Sequence, residues 1–260
     1  MTEETVVYFE DELKDDFNTK KINTIKIDGS YKYIHKSILW NILSFVIYRI
    51  LATPFAYLYM KIKFNLKFEN REVLKQVKNT GYFLYINHTQ EIGDALMPAL
   101  MNFPRKTYVV VHPDNVSLPF WGNIIKFLGP LPIPGDIESG KNFINAIEKL
   151  ISKKKAIVIY PEAHVWEYFT KIRPYGSTSF KYPVSLNVPA FAVTVTYRKR
   201  KNKRPRIVTY IDGPFYPDNH MSSKEKKEDL RNKIYNAMVK RAETNDVQYI
   251  KYLKKGESDT

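Results

Sequence analysis

From residue 70 onward, short apolar runs alternate with stretches of helical spacing, and this alternation limits the fold more than any other feature. The apolar runs are typical of strands, several of them buried on both faces, and span residues 82–86, 107–111, 156–160, 190–197 and 206–212. Residues 120–128 and 139–152 between them have helical spacing. Strands and helices in this order predict an α/β fold with a mixed, mostly parallel sheet covered by helices.

An apolar segment precedes the alternating region. Residues 37–60 are the most apolar stretch, but Arg49 and Pro54 interrupt it before about 18 uncharged residues accumulate, so it is a poor single transmembrane span. Ser37 and Ser44 lie on a narrow polar stripe at helical spacing, and Pro54 is expected to stop or kink the helix. The pattern favours an N-terminal amphipathic helix that docks on a membrane, with a helix packed under the catalytic domain as the alternative.

Composition narrows the classes of partner. The 41 Lys and Arg residues outnumber the 27 Asp and Glu residues, and a net charge of +14 attracts nucleic acid, anionic lipid head groups or an acidic carrier protein. The absence of cysteine excludes disulfides, thiolate catalysis and cysteine-based zinc sites. The acidic start MTEETVVYFEDELKDD is unlike a secretory signal peptide. The expected location is the cytoplasmic face of the cell membrane, with the protein peripheral or monotopic.

These patterns divide the chain into four expected parts. They are an N-terminal extension (1–36), a membrane-docking helical segment (37–69), a catalytic domain (70–245) and a charged tail (246–260). Near the end of the catalytic domain, Ser222 and Glu225 have the spacing of a capping box, which predicts a helix that runs to about Thr244.

A histidine and an aspartate follow the first apolar run of the alternating region. His88 comes just after the predicted strand 82–86, and Asp94 falls near the start of the next helix. A neutral imidazole can take a hydroxyl proton near physiological pH, and a carboxylate on its other ring nitrogen fixes the tautomer and stabilises the imidazolium. His88 and Asp94 are therefore the candidate catalytic pair, with Glu91 as the second-ranked partner of the histidine.

A second group of polar residues follows the predicted strand 156–160. Glu162 stands at the carboxyl end of that strand, the usual rim for active sites in α/β sheets, and is a candidate for binding substrate hydroxyls or backbone donors. Lys171 and Arg173 come next, and the guanidinium of Arg173 suits a bidentate contact with phosphate. The alternatives are a solvated cationic loop for these two residues and, for His164, either a second base or a polar loop residue.

In this order, the blocks resemble the glycerolipid acyltransferase family, whose best-known members convert lysophosphatidic acid to phosphatidic acid. The resemblance covers roughly residues 70–215. Its blocks are the His88 and Asp94 pair, GPLPIPGD at 129–136, YPEA at 160–163, and VPA with the apolar strand at 188–196. The apolar helical segment before the dyad is also similar to the membrane-docking helices of the family.

The chain departs from the family pattern at the dyad and at two cations. Five residues separate His88 from Asp94 where the family usually has four, so the connecting turn must differ. Gly135 stands about where the family has an arginine, and Ala-His-Val at 163–165 replaces Gly-Thr-Arg. The cations available as substitutes for contact with a substrate phosphate are Lys141, Lys171 and Arg173.

The resemblance implies transfer of a fatty acyl group from acyl-CoA or acyl carrier protein to the free hydroxyl of a lysophospholipid. The first-ranked acceptor is 1-acylglycerol-3-phosphate, which gives phosphatidic acid. His88 would act as the general base and Asp94 would stabilise its charged form. Backbone N–H groups near Gly93 or in the turn 161–164 are candidate donors to the oxyanion. No metal and no bound cofactor are expected.

The expected partners are membrane lipids, the lysophospholipid acceptor and the acyl-CoA or acyl carrier protein donor. Nucleic acid is not expected, because the basic run YRKRKNKRPR at 197–206 lies between two predicted strands as a hairpin-like loop, without a recognised nucleic-acid module around it. A fold does not guarantee activity. The alternative function is therefore a non-catalytic peripheral protein that binds lipid with the same fold.

Overall fold

The computed structural model describes residues 5–17, 22–201 and 203–256. The outermost residues of the predicted extension and tail, and Asn202 of the basic loop, lie outside these ranges. The strands are β1 Thr5–Phe9, β2 Lys67–Glu69, β3 Tyr82–Ile86, β4 Thr107–Val111, β5 Pro130–Pro132, β6 Ala156–Ile159, β7 Ala190–Arg198, β8 Arg206–Phe215 and β9 Ile250–Lys254. The α-helices are α1 Ile38–Phe45, α2 Thr53–Phe64, α3 Gly93–Met101, α4 Asp114–Ser117, α5 Trp121–Leu128, α6 Ile137–Ser152, α7 Lys181–Leu186 and α8 Ser223–Ala242. A π-helical turn spans Val46–Ala52, and 3₁₀ turns span Arg71–Val77 and Thr178–Phe180.

Among the described residues, seven strands form one sheet in the order β2-β8-β7-β3-β6-β4-β5. The β7–β8 hairpin is antiparallel and the other neighbouring pairs are parallel, which confirms the predicted mixed, mostly parallel sheet. β3 lies directly beside β6, with Tyr82 opposite Ala156 and Tyr85 opposite Ile159. Because the two strands run in the same direction, the segments that follow them emerge at the same edge of the sheet.

The central strand β3 is apolar at every position because both of its faces are covered. Phe83 and Tyr85 pack into a core that contains residues of α6 and α8. Leu84 and Ile86 pack on the other face, into a core that contains residues of α2 and α3. Side chains alternate between the faces of a strand, so each helical layer receives every second residue. The result is a sheet between two layers of helices.

The capping box predicted at Ser222 is present. The Ser222 hydroxyl accepts from the N–H of Glu225, and the Glu225 carboxylate accepts from the N–H of Ser222 at 2.9 Å, so α8 begins where the sequence predicts. The predicted extension and tail also meet, since β1 pairs in parallel with β9 to form a small second sheet. This pairing joins residues far apart in the chain and was not predicted from the sequence.

The stop expected at Pro54 does not occur, and the helical segment continues from Ile38 to Phe64. Directly before Pro54, the N–H of Thr53 donates to the Tyr48 carbonyl, as in a π turn, and the Thr53 hydroxyl donates to the same oxygen at 2.7 Å. Pro54 is thus the second residue of α2, in a first helical turn where a missing N–H is tolerated.

The segment Ile38–Phe64, called the docking helix below, presents apolar side chains to the outside. It has 27 residues and a mean hydropathy of 1.5 in its most apolar window, so it is long and apolar enough to cross a membrane, but only 17% of that window is buried. Its inner side carries Tyr48, Ala56, Met60 and Phe64, which are buried. Its exposed apolar residues, called the docking face, are Ile38, Leu39, Ile42, Leu43, Phe45, Ile50, Leu51, Phe55, Tyr57, Leu58 and Ile62.

Candidate active site

His88 and Asp94 form a hydrogen-bonded pair at the carboxyl edge of β3. The Nδ1 atom of His88 lies 2.7 Å from Oδ2 of Asp94, which occupies the first turn of α3. The same oxygen accepts from the backbone N–H groups of Thr89 and Gln90, each at 2.9 Å. The connecting segment therefore wraps around the carboxylate, and a linker one residue longer than the family pattern still closes the pair. Glu91, the second-ranked partner, is exposed.

The imidazole of His88 is held in one orientation. The Asp94 carboxylate accepts a hydrogen bond from the Nδ1–H group, so Nε2 is left as the proton acceptor. The ring of Tyr160 stacks on the His88 ring at a centroid distance of 4.3 Å. The Tyr160 hydroxyl donates to the backbone carbonyl of Asp94 at 2.6 Å. Burial and the charge of Asp94 both raise the pKa of Tyr160, so its hydroxyl stays protonated as a donor.

Glu162 and Arg173 form a buried ion pair beside the dyad. One Glu162 oxygen accepts from the His88 backbone N–H at 3.0 Å, and the other accepts from the Arg173 backbone N–H at 3.0 Å. The Arg173 Nη2 atom lies 3.3 Å from Glu162 Oε2, and the side chains are 1% and 0% exposed. Burial raises the pKa of Glu162, and the charge of Arg173 opposes that rise. The pair thus fixes the backbone at His88.

This position corrects the surface role that the sequence analysis gave to Arg173. Its guanidinium also donates to the His164 carbonyl and lies 4.8 Å from the centre of the Trp166 ring. A cation enclosed in this way has no open side for a substrate phosphate. Glu162 makes backbone contacts, one of the two roles expected for it, and is likewise too buried to bind a substrate hydroxyl.

The two predicted lysines are exposed. Lys171 lies in the loop that follows β6. Lys141 lies on α6, which packs on the same face of the sheet as Phe83 and Tyr85 of β3. The structure brings together His88, Asp94, Glu162 and Arg173.

Several residues that hold the dyad segment were missed by the sequence analysis. The Tyr197 hydroxyl contacts the Thr89 hydroxyl at 2.8 Å, and the Gln90 amide donates to the Tyr197 oxygen at 3.1 Å. The Asn87 side chain bridges both backbone groups of Val195, at 2.8 and 3.1 Å, and so ties the end of β3 to β7. A run of polar residues directly after an apolar strand was the available signal for these contacts.

Both candidate groups of oxyanion donors make internal hydrogen bonds. In the turn after β6, the Ala163 N–H donates to the Tyr160 carbonyl and the His164 N–H donates to the Glu162 carbonyl. At the start of α3, the Asp94 N–H donates to the Gln90 carbonyl. Gly93 begins α3, and a Cβ atom there would lie 2.9 Å from Cβ of Gln90 and 3.5 Å from Cε of Met60. Met60 belongs to the docking helix, so that helix reaches the dyad.

No group of three or more His, Cys, Asp or Glu side chains placed to hold a metal ion occurs within residues 5–17, 22–201 and 203–256. The described contacts are those of a proton-transfer site: an oriented imidazole, a carboxylate on its far nitrogen and a helix N-terminus beside it. Such a site can remove a proton from a hydroxyl and stabilise the charge that develops.

Comparisons with known proteins agree with this fold. A family model described as Acyltransferase matches residues 65–196, about half of the chain, from β2 to β7. The crystal structure of the 1-acyl-sn-glycerophosphate (LPA) acyltransferase, PlsC, from Thermotoga maritima is similar in fold, with a TM-score of 0.57 and 12% sequence identity over 83% of this chain and 86% of that chain. A comparison with curated proteins gave no match. The chain belongs to the Acyltransferase family.

Proposed function

We propose that the protein transfers a fatty acyl group from a thioester donor, acyl-CoA or acyl carrier protein, to the free hydroxyl of a lysophospholipid. The first-ranked acceptor is 1-acylglycerol-3-phosphate, and the product is then phosphatidic acid. The observation that carries the proposal is the His88 and Asp94 pair at 2.7 Å, at the sheet edge reached by the docking helix, in a member of the Acyltransferase family.

The proposed reaction needs one base and no covalent enzyme intermediate. Nε2 of His88 takes the proton of the acceptor hydroxyl as its oxygen attacks the thioester carbonyl. Asp94 stabilises the imidazolium, and the positive end of α3 stabilises the oxyanion. Collapse of the tetrahedral intermediate breaks the carbon–sulfur bond, and the thiolate takes the proton back from His88. The two substrates and these side chains complete the transfer, so the proposal includes no metal or bound cofactor.

We further propose that the docking face lies in the head-group region of a membrane, on its cytoplasmic side. Lys61 and Lys63 at the end of the docking helix add cations there. Arg204 of the β7–β8 loop is a further cation, held by a contact of 3.4 Å with the Tyr168 hydroxyl. A lysophospholipid can then keep its acyl chain in the lipid while its hydroxyl reaches His88. In this arrangement residues 37–69 dock and residues 70–245 catalyse.

The acceptor phosphate is proposed to contact Lys171. Among the predicted cations that are exposed, Lys171 is the nearest in sequence to Glu162. Lysine provides a mobile point charge rather than a fixed fork, which suits a head group that must also leave as product. Lys141, exposed on α6, is proposed as a further contact of that phosphate.

The experiment that tests the proposal offers purified protein both donor types against a panel of lysophospholipids in mixed micelles. We expect the largest kcat/KM with 1-acylglycerol-3-phosphate, measured as labelled phosphatidic acid. A larger value with another lysophospholipid would reassign the acceptor. Protein that is folded and bound to vesicles but forms no product with any pair would favour the non-catalytic lipid-binding alternative.

Leu51→Glu is expected to weaken binding to neutral phosphatidylcholine vesicles by roughly tenfold or more, because an apolar side chain that is 60% exposed loses its burial in lipid. Vesicle sedimentation measures the change. Val239→Glu on α8, which packs on the opposite face of the sheet, is the matched control and should bind as the wild type does. Equal weakening in both variants would contradict the docking face.

A further inference from the structure

A cavity lies at the amino-terminal edge of the sheet, opposite the dyad. It has a volume of about 370 Å³ and lies where β4 and β5 begin, between residues 30–35, α1 and α5. The five residues of β4 separate the two edges of the sheet by about 16 Å. The cavity is therefore not part of the candidate active site.

The cavity is lined by Lys106, whose side chain is half-buried. The Lys106 Nζ atom donates to the Ser44 hydroxyl at 2.6 Å and to the Phe127 carbonyl at 2.7 Å. An ammonium has three N–H donors, so these two neutral acceptors leave one N–H for another hydrogen-bond partner. The ammonium also lies 5.1 Å from the centre of the Tyr48 ring and 5.5 Å from that of the Tyr108 ring. Burial, with the nearby charges of Lys155 and Arg49, lowers the pKa of Lys106 to about 8.

Lys106 has no negative counter-charge in the described part of the chain, where no carboxylate lies within ion-pair distance of its Nζ. The cavity lining repeats this imbalance. Its basic members are Lys32, His35, Lys106 and Lys126, and none of its lining residues, all of which are described, is Asp or Glu. A half-buried cation without a counter-charge is partly desolvated, and an anion bound in the cavity would offset that cost.

One wall of the cavity is aromatic and flat. The Trp40 ring stacks between the His35 ring, at a centroid distance of 3.8 Å, and the Phe127 ring, at 4.2 Å. The stack fixes the positions of α1 and α5 relative to each other, so the basic groups around the cavity are held in place before a ligand arrives. The cavity is thus formed before a ligand arrives.

The two helices that form the cavity also carry apolar side chains on the outside of the protein. α1 contributes Ser44 to the cavity and Leu39 to the docking face. α5 contributes Lys126 to the cavity, and the exposed aromatic pair Phe120 and Trp121 lies at its start. If α1 faces lipid as proposed and α5 does too, a cationic cavity between them would lie near the phosphates of the head groups.

We propose that this cavity binds the phosphate of an anionic phospholipid head group, as a ligand that anchors the protein and is not its substrate. The inference rests on the proposed docking of the helix on lipid. The lipid phosphate accepts from the remaining N–H of Lys106 and from Lys126, while its acyl chains stay in the bilayer beside α1.

The test measures binding of two short-chain lipids, dihexanoylphosphatidylglycerol and dihexanoylphosphatidylcholine, as monomers below their micelle concentration by titration calorimetry, with inorganic phosphate as a third probe. Lys106→Gln retains two N–H donors for Ser44 and Phe127 but removes the charge. We expect it to weaken phosphatidylglycerol binding about fivefold. Lys126→Gln, which removes a charge at the rim, should act in the same direction and does not disturb a buried group. Lys224→Gln at the start of α8 removes an equal charge from an exposed residue that does not line the cavity, and should leave binding unchanged.

Each outcome separates one part of the proposal. Equal losses in all three variants would mean that net charge rather than the cavity attracts the lipid, and would overturn it. Equal affinity of the wild type for inorganic phosphate and for phosphatidylglycerol would overturn the lipid as the source of the phosphate. Failure of the wild type to bind phosphatidylcholine vesicles would reject the proposed docking, while the binding of monomeric lipids would still test the cavity.

Discussion

His88→Ala is expected to lower the turnover number of acyl transfer by about 10²- to 10⁴-fold, the usual contribution of a positioned general base. The imidazole is the group whose Nε2 accepts the hydroxyl proton in the proposed reaction, and alanine cannot replace it. Oδ2 of Asp94 keeps its two backbone donors from Thr89 and Gln90, so the fold should persist. Steady-state kinetics with saturating donor and acceptor measure the loss, and circular dichroism checks the fold.

The chain offers a matched control in a second histidine–aspartate pair. His112 Nδ1 lies 3.1 Å from Asp114 Oδ2, after the end of β4, but its side chain is 65% exposed. It has the same residue types without the stacked tyrosine and the buried carboxylate of the first pair. His112→Ala should therefore keep wild-type turnover. Loss of turnover in this variant but not in His88→Ala would move the base to the second pair.

Much of the active-site edge could be predicted because it depends on short-range patterns. The continuous apolar runs at 82–86 and 156–160 predict strands buried on both faces, and strands of that kind are parallel neighbours in α/β proteins. Polar residues directly after such strands share an edge. That reasoning places His88 and Glu162 together, and the structure shows the contact between them at 3.0 Å.

The orientation of Arg173 could not be predicted in the same way. In the sequence it is a cation in a polar loop, and both a surface contact and a buried pair fit that description. The structure decides between them because the loop folds back over the sheet edge. There the backbone N–H of Trp166 donates to the His88 carbonyl at 3.1 Å. The pairing of β1 with β9 is hidden for the same reason, since it depends on tertiary contacts. The π turn before Pro54 is local, but the apolar pattern around it does not indicate it.

Arg173→Met is expected to lower the free energy of unfolding by about 3–5 kcal/mol, because it leaves the Glu162 carboxylate buried without its cation. The variant also loses the contact between the guanidinium and the Trp166 ring. Urea denaturation followed by tryptophan fluorescence measures the change. Lys233→Met, which breaks a half-exposed pair with Asp229 on α8, should cost only about 0.3–0.5 kcal/mol and is the matched control.

The kinetics of the same variant separate a buried positioning role from a phosphate contact. At 1% exposure Arg173 cannot touch the acceptor, so its removal should lower kcat through the backbone at His88 and leave the acceptor KM nearly unchanged. A raised KM with unchanged stability would restore the phosphate role that the sequence suggested.

Adding Glu162→Gln to Arg173→Met tests the physical reason for the loss, since the added change removes the uncompensated buried charge. We expect the double variant to recover part of the lost stability. Recovery should be incomplete because a glutamine has one carbonyl oxygen, whereas Glu162 uses two to accept from the N–H groups of His88 and Arg173. If the double variant is less stable than Arg173→Met alone, the loss does not come from a stranded carboxylate, and the packing of the guanidinium against Trp166 becomes its cause.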